Sequence, residues 1–126
     1  MLLQLSKKEI KQIIATGFFM LFNFLFIWFF WKKVILLTAI LFALAVLEMA
    51  IIKSRKLAAV FILAAVGAAA FESISIHLGI WSYNMPMIFN IPLWLIPGWG
   101  NAAIIVVTFY KLMSKIKWLE KNSQNE

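Results

Sequence analysis

The feature that most limits what this chain can become is an alternation of long apolar runs with short clusters of lysine. The runs cover residues 13–31, 34–52, 57–76 and 91–110. A hydrocarbon layer about 30 Å thick takes roughly 20 helical residues to cross, so each run predicts one transmembrane helix. Lys32-Lys33 separates the first two, and Lys53-Ser54-Arg55-Lys56 the next two. The third connection, 77–90, has no formal charge beyond that of a protonated His77. The predicted fold class is all-α, an integral membrane four-helix bundle, with residues 1–121 as a single domain and 122–126 as a polar, frayed tail.

Composition closes off the soluble alternative. Hydrophobic residues make up 64% of 126 positions and charged ones 13%, far from the soluble norm of about half apolar and about a quarter charged. A chain this short has too little interior to hide that much apolar surface from water. Without a cysteine, disulfides and thiolate sites are ruled out, and a single histidine argues against a histidine-rich metal site. Neither a Gly-rich phosphate loop, a nucleophile elbow nor a paired-carboxylate metal motif is present, so no cofactor or metal is expected. The first run is too long for a signal-peptide core and lacks a small-residue cleavage site, so it is expected to stay in the mature protein.

The net charge of +7 reads as topology. Four spans place Lys7, Lys8, Lys11, Lys53, Arg55, Lys56, Lys111, Lys115, Lys117 and Lys121 on one side, with only Lys32 and Lys33 on the other. Cytoplasmic loops carry the excess of Lys and Arg. Both termini are therefore expected in the cytoplasm of a cell-membrane protein, with the basic residues meeting anionic lipid headgroups and no nucleic acid as partner. Ser6-Lys7-Lys8-Glu9 has the form of a capping box that starts helix one. Trp28 and Trp31 beside Lys32-Lys33 fit an outer aromatic belt, and the last turn of span one is expected to unwind there, since an unbroken helix would leave two charges at mid-membrane.

Span four contains Pro97, with Gly98 and Gly100 beside it. A start after Pro97 leaves 98–110, too short to cross, so residues 91–101 are expected at membrane depth as a kinked or broken helix. Beyond it, Leu112, Met113, Ile116 and Leu119 stand at helical spacing among lysines and predict an interfacial continuation.

Two carboxylates fall inside spans, where an ionised side chain is costly and marks a candidate site. Glu48 is about one and a half turns from the basic end, and the simple reading is that it reaches the interface and pairs with Lys53 or Arg55. Glu72 shares a helix face with Ala65, Ala68 and Ala69; small residues let helices approach, so Glu72 is expected to point into the bundle. It reads either as a catalytic group or as a carboxylic acid hydrogen-bonded to a neighbouring helix, for example to Asn101. Beside it the chain offers His77, a weak catalytic candidate, and Trp81, Tyr83, Trp94, Trp99 and Asn101 as possible walls of a pocket open to the outer leaflet. Thr16, Asn23 and Thr38 are expected to donate interhelical hydrogen bonds, while the phenylalanine-rich run 18–30 is expected to face lipid.

At Glu72-x6-Gly79-x-Trp81-x-Tyr83, followed by Ile91-Pro92-Leu93-Trp94 and Trp99-Gly100, the chain resembles small prokaryotic integral membrane families of uncharacterised function. It is also similar to the lycopene cyclase and carotenoid hydratase group, in which an acidic residue precedes a Gly-x-aromatic-x-Tyr stretch. The resemblance covers about a quarter of the chain. Pro92-Leu93-Trp94 stands where lycopene cyclases carry Pro-x-Glu-Glu. Three functional readings follow. The first is an interaction or structural membrane subunit, associating as a homo- or hetero-oligomer through span three. The second is an enzyme acting on a polyprenoid, with Glu72 as general acid and Trp81, Trp94 and Trp99 around an electron-poor hydrocarbon. The third is small-solute transport by an oligomer.

Overall fold

The computed structural model describes residues 5–124. Four helices follow one another: α1 (Lys7–Phe30), α2 (Val34–Ile52), α3 (Arg55–His77) and α4 (Leu95–Ser123). Each is long and apolar enough to cross a membrane. Phe24, Trp28, Ile35 and Leu63 are each more than 60% exposed, an arrangement that hydrocarbon tolerates and water does not. The chain is thus an all-α four-helix bundle of the multi-pass membrane class.

The capping box of α1 is formed in full. Ser6 Oγ accepts the Glu9 amide at 3.2 Å, and Glu9 Oε2 accepts the Ser6 amide at 2.7 Å. The helix ends at Phe30, one residue before Trp31, and Trp31-Lys32-Lys33 makes the reversal. Lys33 itself caps α2, and Lys32 stacks 5.1 Å over the Trp31 ring. At the other end of α2, Lys53 takes a left-handed conformation (φ 54°) and Ser54 leads directly into α3.

Alternating helix directions gather the start of α1, the end of α2, the start of α3 and the distal part of α4 at one end. Glu9 of α1 is ion-paired to Lys115 of α4 there. Lys32 and Lys33 lie at the other end, beside the α3–α4 loop at Asn84 and Met87. α4 packs against all three other helices, whereas α3 leans almost entirely on α4. Their crossing is close because of Gly100. A Cβ built there would lie 2.4 Å from the Phe61 ring carbons Cδ2 and Cε2. Phe61 joins Ala45, Leu57, Ala65 and Ile104 in the apolar core.

The fourth helix differs from expectation. It begins at Leu95, not at residue 91, and Pro97 occupies its first turn, where a missing amide hydrogen breaks no bond. The reason for expecting a kinked or broken span at Pro97 therefore disappears. Length is recovered at the far end, since the helix runs on past Lys111 to Ser123, two residues into the expected frayed tail. Residues 125–126 and the side chains of Ile116 and Leu119 lie outside those described.

Candidate functional site

α3 closes with a Schellman arrangement that aims the following loop. The Ile80 amide donates to Ser75 O at 3.0 Å and the Gly79 amide to Ile76 O at 2.9 Å. Gly79 sits at φ +75°, a conformation glycine adopts without the penalty a Cβ brings. The chain then doubles back, and Trp81 and Tyr83, two apart along a non-helical stretch, fall on one side of it. Both reach Glu72, which is 5% exposed. Trp81 Nε1 donates to Glu72 Oε2 at 2.8 Å, and Tyr83 OH donates to the same oxygen at 2.9 Å. Burial first, and then the Glu72 carboxylate it serves, push the Tyr83 phenol up from its ordinary 10.0 to about 12.

A second anchor lies further along the loop. Phe89 (φ 50°) and Asn90 (φ 63°) are consecutive left-handed residues. They form a tight reversal closed by the Ile91 amide donating to Ile88 O at 3.0 Å. Ser73 Oγ of α3 donates to Phe89 O at 3.2 Å and ties this turn to the helix. Between the turn and α3 is an apolar hollow of about 470 Å³ lined by Ala65, Val66, Ala69, Ser73, Phe89 and Ile96.

The sequence places Glu72, Trp81 and Tyr83 together, and they meet. The remaining expected residues disperse. His77 is the last residue of α3 and lines a separate surface hollow with Ser73 and Asn90. Trp94 caps α4, and a Cβ at Gly98 would lie 3.8 Å from its ring. Trp99 is exposed on α4. Asn101 does not serve Glu72: its Nδ2 donates to Asn23 Oδ1 at 2.7 Å and to Leu41 O at 3.1 Å, joining α4 to α1 and α2.

The small polar residues also correct expectation. Asn23 makes an interhelical bond as an acceptor while its own amide donates to Phe19 O. Thr38 donates to Val34 O within its own helix, since a hydroxyl four residues on reaches that carbonyl without a partner helix. Thr16 Oγ1 has no partner among the described residues. Glu48 neither reaches the interface nor pairs with Lys53 or Arg55. It is 0% exposed, and neither carboxyl oxygen has a hydrogen-bond partner among the described residues. The cause is the face it occupies: Val34, Leu37, Thr38, Leu41, Ala45 and Glu48 form one continuous buried stripe of α2. No protein-family model, curated protein or solved structure matches this chain.

Proposed function

We infer that this chain is an interaction or structural subunit of the cell membrane, with both termini in the cytoplasm, that associates with other membrane proteins through α3. The orientation is supported by ten basic residues against two across the four spans. The observation that carries the functional reading is the double engagement of Glu72 Oε2 by Trp81 and Tyr83. A carboxyl oxygen that accepts from two fixed donors is an anchor for the loop, and it leaves α3 with a braced, apolar flank of Ile62, Leu63, Val66 and Phe71. Because α3 leans almost entirely on α4, that flank is available to a neighbour. Crosslinking and blue-native electrophoresis of the full chain in mild detergent are expected to show a stable oligomer, weakened by Glu72→Gln. A strictly monomeric wild type would overturn the reading.

The apolar hollow between α3 and the Phe89 turn favours a second reading, an enzyme acting on a polyprenoid or carotenoid-like lipid. Ser73 in its wall is adjacent to Glu72 in sequence, and the Trp81 ring offers a face that stabilises positive charge. On that reading Glu72 acts as general acid. Lipid extracts of cells expressing wild type or Glu72→Gln decide it: a changed pigment or polyprenoid profile supports it, and identical profiles dismiss it.

A further inference from the structure

The Asn23–Asn101–Leu41 junction fixes the register of three helices, and that register has a second consequence. Seven residues along each helix towards the lysine-rich end, from Asn23, Leu41 and Asn101 respectively, stand Thr16, Glu48 and Thr108. Two helical turns return to the same face about 10 Å further on. All three side chains are at least nine-tenths buried. Thr108 Oγ1 donates to Ile104 O at 2.8 Å, whereas Thr16 Oγ1 and both Glu48 oxygens have no partner among the described residues. A buried layer of carboxyl and hydroxyl groups therefore lies deep in the bundle, and the Thr16 hydroxyl and the Glu48 carboxyl leave their hydrogen-bonding capacity unused, which is costly.

The layer is approached from the lysine-rich end. A cleft of about 140 Å³ between α1 and α4, lined by Glu9, Gln12, Lys111 and Lys115, includes Thr108. A second, of about 260 Å³ between α1 and α2, is lined by Lys8, Lys11, Gln12 and Lys53. Gln12 belongs to both and lies one helical turn before Thr16. Among the described residues, the charged groups at this end are Lys7, Lys8, Glu9 and Lys11 of α1, Lys53 after α2, Arg55 and Lys56 of α3, and Lys111, Lys115 and Lys121 of α4; Glu9 is bound to Lys115. Such a rim repels metal cations, and two hydroxyls with one carboxyl give few oxygens for an alkali ion. A proton needs only one acceptor.

We propose that Glu48 is a proton-exchanging carboxyl within the bundle, loaded and unloaded from the lysine-rich end past Gln12, Thr16 and Thr108. Loading forms one O–H bond on the Glu48 carboxylate and breaks one in a hydronium ion at the cleft mouth, leaving water; unloading returns the proton to water there as hydronium. The acid form has a donor to offer a hydroxyl oxygen, and the carboxylate form has only acceptors, so the two states call for different arrangements of α1, α2 and α4.

The test is labelling of the full chain in detergent with dicyclohexylcarbodiimide, which attacks protonated carboxyls in apolar surroundings, followed by peptide mapping. Label is expected on Glu48 and not in Glu48→Gln. Its rate should fall by about tenfold for each pH unit on the alkaline side of a midpoint, and exchanging choline for sodium at constant ionic strength should leave it unchanged. The wild-type profile decides the matter even if Glu48→Gln fails to fold. Infrared difference spectra of the wild type should show a carboxylic acid carbonyl band lost over the same pH range. Absence of label, or a rate indifferent to pH, would overturn the proposal in favour of a fixed structural acid. Protection by sodium would overturn it in favour of a cation site.

Discussion

Replacing Gly100 by alanine tests the packing on which the bundle closes. The new methyl would begin 2.4 Å from two ring carbons of Phe61 and 2.9 Å from a third. Carbon atoms rest about 3.5–4 Å apart, so the ring or the whole of α3 must retreat by roughly 1 Å. The ring is held by Ala45, Leu57, Ala65 and Ile104, and Phe42 stands 6.1 Å from it, centroid to centroid. Overpacking of this kind costs about 1–3 kcal/mol. Removing a glycine from a helix interior returns at most about 1 kcal/mol. The net expectation for Gly100→Ala is a loss of about 1–2 kcal/mol, read as a lower midpoint in denaturant unfolding from detergent micelles, followed by tryptophan fluorescence. In a Phe61→Leu background the flat ring is gone and the same change should become neutral or stabilising. Equal costs in the two backgrounds, or a stabilised Gly100→Ala single variant, would refute the close α3–α4 crossing.

Three further expectations follow from the loop and the polar junction. Gly79→Val should loosen the loop by about 1–2 kcal/mol, the cost of a side chain in the left-handed region, seen as faster proteolysis within 78–94; unchanged proteolysis would count against the Schellman closure. Because the folded Tyr83 phenol is raised to about 12 from 10.0, its contribution is fully present below pH 10 and is lost as pH climbs towards about 12. Tyrosinate absorbance of wild type minus Tyr83→Phe should show that late step, and titration near 10 would contradict the clasp. Asn23→Leu and Asn101→Leu should each destabilise, with a coupling in a double-mutant cycle of about 0.6–1.7 kcal/mol; additive effects would mean that the two amides do not meet.

The parts of the fold that can be read from the sequence are those where lysines punctuate the apolar runs. Lys32-Lys33 and the 53–56 cluster mark the turns within a residue or two, and the Ser6–Glu9 box marks the start of α1. Helix faces are harder. α2 is apolar around its whole circumference, so periodicity does not disclose its inner side, and proximity alone pairs Glu48 with Lys53 or Arg55, neither of which it reaches. The signal that corrects this pairing is its place in the 34–37–38–41–45–48 stripe. Pro97 suggests a break only when the span is counted towards Tyr110; a helix that carries Lys111 and Lys115 past the apolar stretch lets Pro97 fall in its first turn. In the candidate site, Trp81 and Tyr83 are legible as neighbours of Glu72, since Gly79 marks a turn and two-residue spacing shares a side. The partner of Asn101 is not legible, because nothing local records that it faces Asn23 across 78 positions of chain.

That long-range junction bears on how the protein is made. Asn101 lies on α4, which leaves the ribosome after the other three helices, and it supplies the bond that Asn23 of α1 receives. Until α4 is inserted, Asn23 Oδ1 waits without its partner among lipid or insertion machinery, and α3 lacks the helix that carries most of its packing. Closure of the bundle therefore waits for α4, and a chain interrupted before residue 101 would lack both the bond to Asn23 and most of the packing that supports α3.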